Sequence, residues 1–256
     1  VTPSSQGGSQ RSSTQQTTSG FTPSMPNQIQ PSASTAAVMP VKVGSRKGSG
    51  KIITVKTDVQ TVQLDARGGD IVGVQLPSYP VALNQPHQPM QIVSSSAQHY
   101  YVIQSGVISK NSQTSTPVFQ AEHATYQLQP GQNTLQVTLK AKQRGVLVTK
   151  QYSFTRSDYA IKMLTTVKNT SGAVWTGSFY HQIARNKPLR SGHFSSMAYT
   201  GGSISTPDTP YHKLSFKDMS KENINMAVKD GWIAMQQHYF LSALIPTRGT
   251  TQNYYS

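Results

Sequence analysis

The chain has 256 residues, of which 35% are hydrophobic and 12% charged, and its 23 Lys and Arg outweigh nine Asp and Glu to leave a net charge of +14. It contains no cysteine, which excludes disulfides, thiolate metal sites and cysteine nucleophiles. This length suits one large all-β domain or two small ones, and the excess of polar residues sits mainly in Ser, Thr, Gln and Asn.

Residues 1–50 are of low complexity, with tracts such as Ser12-Ser13-Thr14-Gln15-Gln16 and prolines at 23, 26, 31 and 40. Such a segment buries too little apolar area to offset the entropy of ordering the chain. It reads as a disordered polar tether made positive by Arg11, Lys42, Arg46 and Lys47. Nowhere does an apolar run reach the ~18 residues needed to cross a bilayer, and no signal-peptide pattern opens the chain. The expectation is an excised or processed segment. The positive charge calls for an anionic partner field, but its residues are scattered, the pattern of a solvated surface rather than a nucleic-acid-binding stripe. No nucleic-acid partner is expected.

From Lys51 the pattern changes to two-residue alternation. Ile53 and Val55, then Val62 and Leu64, alternate with polar neighbours before Arg67-Gly68-Gly69-Asp70 turns the chain. Ile71 to Leu76 predicts a further strand stopped by Pro77 and Pro80. Leu135, Val137 and Leu139 share one face. Val146, Val148, Tyr152 and Phe154 share another, interrupted by Lys150, and Tyr159, Ile161, Met163 and Val167 follow after the turn at Arg156-Ser157-Asp158. Half-buried antiparallel strands have this pattern because successive side chains point to opposite sides of a sheet. The only helix predicted is one or two turns within Ser220–Lys229, capped by Ser220 with Glu222 in its first turn. The fold class is mainly β, a large antiparallel sandwich with little helix.

Residues for catalysis are sparse. The seven histidines (87, 99, 123, 181, 193, 212 and 238) show no HxH, HxxH or HExxH spacing, so no metal is expected. Asp70, Asp158, Asp208 and Asp230 stand in turn contexts. Glu122-His123 is the one adjacent acid–imidazole pair, and neighbours on a strand point apart. The run Gly44 to Lys51 lacks the spacing of a phosphate loop. No cofactor and no catalytic residue are expected.

Two stretches carry a specific resemblance. The first is ITVKTDVQTVQLDARGGDIVGVQLPSYP from Ile53, with HYYVIQSG ending at Gly106. The second is GWIAMQQHYFLSALIP from Gly231 to Pro246, preceded by STPDTPYHKLSF from Ser205. In order and spacing these resemble the periplasmic domain of the YidC membrane protein insertase family of Gram-negative bacteria. Its family-like marks are Gly68, Gly69 and Asp70; the corner Arg156, Asp158 and Tyr159; and Trp232, Tyr239, Phe240 and Pro246. Trp232 to Pro246 is also the most apolar stretch of the chain, read as two core strands around Gln236-Gln237-His238. Leu244 stands where the family often has Trp.

The resemblance implies a supersandwich similar to galactose mutarotase over residues 51–256. It implies a tether following a missing first transmembrane helix, and a C-terminal end cut short of further strands. The implied role is that of a periplasmic accessory or scaffold domain, not an enzyme. Implied partners are Sec translocon accessory subunits and nascent membrane proteins at the periplasmic face of the inner membrane. From the charge, an anionic phospholipid surface is a further candidate. The alternative is a carbohydrate- or peptide-binding sandwich.

Overall fold

A computed structural model describes residues 50–109, 116–187, 199–237 and 239–256. The tether expected over residues 1–50 lies outside these apart from Gly50, as do His193 and His238. In chain order the first strands are β1 (Ile52–Lys56), β2 (Thr61–Asp65), β3 (Asp70–Pro80), β4 (Pro89–Ser94), β5 (Tyr101–Ser109), β6 (Gln120–Ala121) and β7 (Thr125–Gln127). The long strands β8 (Thr134–Gln143), β9 (Val146–Thr155), β10 (Ile161–Asn169) and β11 (Gly177–Arg185) follow. The remainder comprises β12 (Thr200–Ser205), β13 (His212–Leu214), helix α1 (Phe216–Lys221), β14 (Asn225–Lys229), β15 (Trp232–Gln237), β16 (Phe240–Leu244) and β17 (Thr251–Tyr255).

These strands form a seven-stranded sheet in the order β11-β5-β4-β3-β2-β1-β7 and a four-stranded sheet β10-β9-β8-β6. A second four-stranded sheet, β13-β12-β15-β16, and the ribbon β14-β17 complete the described part. Pairing is antiparallel apart from the short parallel contact of β1 with β7. The protein is a mainly β, sandwich-like fold.

The seven-stranded sheet and the β10-β9-β8-β6 sheet enclose one core. The inward residues of β1 to β3 (Ile53, Val55, Val62, Leu64, Val74) meet Leu135, Val137, Leu139, Val148, Tyr152 and Phe154 from β8 and β9. A smaller cluster of Ile204, Val228 and Tyr254 lies under the β12-β15 sheet and the ribbon. Strands β8 and β9 pair over ten consecutive positions, and β9 and β10 over nine. Burial along β8 and β9 alternates strictly, as a sheet with one face on the core requires.

Three local expectations need correction. Strand β3 continues past Pro77 to Pro80 instead of stopping at Pro77. Its pairing with β4 skips from Leu76 to Pro80, so the proline nitrogens fall where the ladder is irregular and residues 77–80 are exposed. The helix is Phe216–Lys221, not 220–229. Ser215 caps it, accepting from the Asp218 amide while the Asp218 carboxylate reaches back to the Ser215 amide; this is a capping box with Asp in the third position. Glu222 ends that helix, and Asn225–Lys229 is strand β14. Finally, Tyr159 precedes β10 and is exposed, so the strand's inward face begins at Ile161.

The alternation assigns Phe154 to the core and Leu164 to solvent (0% and 62% exposed). We therefore expect Phe154→Ala to lower the free energy of unfolding by about 3–5 kcal/mol and Leu164→Ala to change it by no more than about 0.5 kcal/mol. Urea denaturation of both variants checks the inward and outward assignments.

Candidate functional site

Lys150 occupies an inward position of β9, between Val148 and Tyr152, and is wholly buried. An ammonium group removed from water is tolerated only where polar groups replace its hydration. Its Nζ donates to the carbonyl of Gly68 at 2.6 Å, the carbonyl of Ser105 at 2.9 Å and Ser105 Oγ at 2.6 Å. The Gly69 carbonyl stands farther off at 3.4 Å, so the three N–H donors face four oxygen acceptors, and the Phe119 ring centroid lies 5.2 Å from the same nitrogen, within cation–π range.

The acceptors are placed by the Arg67-Gly68-Gly69-Asp70 turn and by Gln104-Ser105-Gly106. Asp65 starts the turn by accepting from the Arg67 amide at 2.7 Å. Gly68 and Gly69 then adopt φ of 83° and 62°, where a side chain is strained. At Gly69 a Cβ would also meet Lys150 Cδ at 3.1 Å and Leu139 Cδ1 at 3.3 Å. Asp70, equally shielded from solvent, accepts from the Ser105 amide at 3.2 Å and from Gln104 Nε2 at 3.3 Å. Gln104 Oε1 in turn accepts from Gln182 on β11 at 2.7 Å. Gly106 leaves room for the Tyr180 ring, which a Cβ would approach to 2.6 Å.

The Tyr152 hydroxyl donates to the Gly69 carbonyl. Burial first, and then the nearby Asp70 charge, push its phenol well above the ordinary range, against a smaller opposing effect of Ser105. Asp70 and Lys150 are the charged side chains that the described core encloses. Each bonds Ser105, so one residue couples the acid of the seven-stranded sheet to the base of the opposite sheet. Lys150 is wholly shielded from solvent, as suits a structural pin between the two sheets.

The corner named from sequence is also a tie between segments. Arg156 donates from Nε to the Gln132 carbonyl at 3.0 Å and from Nη2 to the Gln129 carbonyl at 2.7 Å. Ser157, at φ 57°, gives its amide and hydroxyl to the Asp58 carboxylate. Asp158 accepts from the Ala160 amide, and Gln60 Nε2 reaches the carbonyls of Asp158 and Tyr159. Tyr159 then meets Tyr79 edge-on at 6.4 Å, and Tyr79 meets Phe240 at 5.6 Å. This aromatic seam joins the corner to the β15–β16 hairpin.

The hairpin itself is less buried than its composition suggests. Ala234 and Met235 of β15 are in the core, whereas Trp232 and Pro246 are half-buried. Tyr239, Leu241 and Ile245 are exposed (84%, 58% and 76%). The reading of Trp232 to Pro246 as two core strands is therefore corrected: β16 ends its sheet, and one of its faces meets solvent.

Glu122 and His123 likewise depart from expectation. They lie after β6, not within a strand, and their side chains approach to 3.8 Å while remaining largely exposed. Among the described residues no group of three or more His, Asp or Glu is placed to hold a metal ion. A depression lined by Val107, Arg144, Val146 and Trp175 holds about 260 Å³ including open solvent, below the ~300–1,000 Å³ of ordinary ligand pockets.

Strand alternation, a charge-bearing sealed core and an exposed apolar edge define this molecule as a large β-sandwich domain. The chain belongs to the family of YidC periplasmic domains, which it matches over residues 52–256. It is 45% identical over 215 residues to the membrane protein insertase YidC of Coxiella burnetii (strain RSA 493 / Nine Mile phase I), covering 83% of this chain and 38% of that protein. The protein of the same name from Legionella pneumophila (strain Corby) is 38% identical over 224 residues, covering 84% of this chain and 40% of the relative. For that of Pseudomonas fluorescens (strain SBW25) the identity is 38% over 205 residues, with 77% and 37% covered. The chain thus spans less than half the length of these relatives. Among its described residues no helix is long and apolar enough to cross a membrane.

Three outcomes follow from the sealed core. Lys150→Met leaves the Gly68 and Ser105 carbonyls without their donor and Asp70 without its compensating charge, and should destabilise the fold by about 3–5 kcal/mol. In a double-mutant cycle with Asp70→Asn the two losses should fall short of additivity by about 1–3 kcal/mol, read from urea midpoints. The Tyr152 phenol, raised above its ordinary 10.0, contributes stability that is intact below pH 10 and is lost as pH rises through the folded value. Tyr152→Phe should therefore flatten the decline of stability above pH 10, measured as the urea midpoint against pH.

Proposed function

We propose that this chain is the periplasmic accessory or scaffold domain of a membrane protein insertase, helping to insert and fold inner-membrane proteins alone or with the Sec translocon. The family match over residues 52–256 carries this reading. On it, the domain sits at the periplasmic face of the inner membrane and works by contact, not by catalysis. The ionic core is shielded from any substrate, so the working parts are surfaces.

The β15–β16 hairpin supports a contact role. An edge strand presents unpaired backbone groups to an extended segment, and Tyr239, Leu241 and Ile245 add apolar area along it. Nascent membrane proteins and Sec accessory subunits are the proposed protein partners. The net charge of +14 adds the anionic phospholipid of the adjacent bilayer.

A photo-crosslinking scan on the full-length protein in cells tests this, with probes at Tyr239, Leu241 and Ile245 and a comparison probe at Leu83, which is 99% exposed in the β3–β4 loop. Adducts to a Sec subunit or to a nascent membrane protein at the hairpin, and not at Leu83, are expected. Silence at all three hairpin positions would remove the hairpin as a contact surface.

A further inference from the structure

The strands that wall the core on one side leave an outer face of unusual charge. On β8 the outward residues include Gln136, Thr138, Lys140 and Lys142; on β9 they are Leu147, Thr149, Gln151 and Ser153; on β10 they are Lys162, Leu164, Thr166 and Lys168. Register places them in rows. Lys142 and Lys168 flank Leu147, Lys140 lies in the row of Thr149 and Thr166, and Lys162 shares its row with Ser153 and Gln136. Not one residue of these three strands is acidic.

Spacing makes Lys140, Lys142 and Lys168 a single electrostatic feature, with Lys162 about 16 Å away toward the other end of the same face. Same-face neighbours along a strand are about 7 Å apart and adjacent strands about 4.8 Å apart. Lys142 and Lys168 are therefore about 10 Å apart and Lys140 closer to Lys142, within about a Debye length at physiological salt. Arg144 stands in the β8–β9 turn beyond Lys142. Acids stand at the rim of this face: Glu122 past β6, with its carboxylate against His123, and Asp58 and Asp158 at the β9–β10 corner beyond Lys162. On α1, by contrast, Asp218 stands between Lys217 and Lys221.

We propose that the outer face of β8, β9 and β10 is the surface by which this domain docks on anionic phospholipid. The proposal rests on the reading of an anionic bilayer as a partner and assigns the place. Charge complementarity selects the occupant: the ammonium groups meet phosphate, the hydroxyls of Thr138, Thr149, Ser153 and Thr166 can donate to phosphate oxygens, and Leu147 and Leu164 add apolar contact between the charges. The unbroken pairing of the three strands over nine and ten positions presents these groups on a continuous surface, which suits an extended array of headgroups rather than one enclosed ligand. The core side of the same strands is filled with Leu, Val, Tyr and Phe, so the outer lysines can change without disturbing packing.

Each lysine near an anionic leaflet contributes about fivefold to partitioning. The test uses the full 256-residue chain and vesicles of phosphatidylcholine with or without 30% phosphatidylglycerol, read by co-sedimentation at low and physiological salt. Lys142→Gln/Lys168→Gln should weaken binding to the phosphatidylglycerol vesicles about 25-fold, and Lys140→Gln/Lys162→Gln provides an independent second pair. The control Lys217→Gln/Lys229→Gln should lower it far less, with thermal unfolding confirming that all variants are folded. If the wild type ignores phosphatidylglycerol, the phospholipid reading itself fails. If the wild type binds but both face variants bind equally well, or no more weakly than the control, the face assignment fails and the reading stands. Tighter binding to an acidic polypeptide than to the vesicles, lost in the same face variants, would overturn the choice of occupant.

Discussion

A charged nitrogen in an apolar interior must receive oxygen acceptors in place of water and a compensating negative charge, or the fold that encloses it does not persist. Lys150 sets that requirement here. Its acceptors come from Gly68, Gly69 and Ser105 on the opposite side of the core, and the buried Asp70 carboxylate is held by the amide of the same Ser105. The distance between the sheets, the left-handed turn at Gly68-Gly69 and the position of Phe119 all serve this arrangement. Phe119 is fixed by a bond from its amide to the Ala66 carbonyl, beside the Arg67–Val118 bridge, so the segment before β6 is drawn against the turn that feeds the ammonium.

The rest of the sandwich is tied in from that centre by short polar and aromatic links. Arg156 and Ser157 fasten the β9–β10 corner to the 129–132 turn and to Asp58. Tyr159, Tyr79 and Phe240 carry the connection to the β15–β16 hairpin through edge-on ring contacts. Such aromatic pairs contribute roughly 0.5–1.5 kcal/mol beyond the area they bury. The hairpin is anchored by Phe240, Ala234 and Met235 while the outer side of its edge strand stays in solvent. The hairpin is thus firmly anchored behind and exposed in front.

Period-two alternation separates what the domain needs for stability from what it shows to its surroundings. Along β8, β9 and β10 the inward residues are occupied by packing and by the Lys150 pin. The outward residues are free to carry lysine, threonine and glutamine without an acid among them. Inner and outer faces of the same strands are therefore chemically independent, which lets the outer surface change while the core stays intact.

Much of the fold was legible in the chain. Alternation at Leu135–Leu139 and Val146–Phe154 marked strands and their faces, because one face of each is dry. Glycine and aspartate at 68–70 marked a turn, and the stretches from Ile53 and from Gly231 carried the family. The helix was displaced although Ser215 with Asp218 three residues on forms a capping box, because a six-residue helix with no buried residue leaves no apolar stripe after that cap, and the prolines of β3 misled because an irregular ladder needs no proton from them. Lys150 read as an interruption of an apolar face. That a lysine kept the inward parity of β9 was the available sign that it is buried. Its partners, however, lie 45 and 82 residues away, on strands whose pairing partners alternation does not specify. The exposure of Tyr239, Leu241 and Ile245 escaped notice for the same reason: an apolar run looks alike in a central and in an edge strand. By itself, then, the sequence determined the strand periodicity, the turns and the family, since these follow from local sterics and side-chain pattern. Only the tertiary structure decided which groups neutralise the buried ammonium, which strand ends a sheet, and which lysines share one face, since those depend on register and sheet order between segments far apart in the chain.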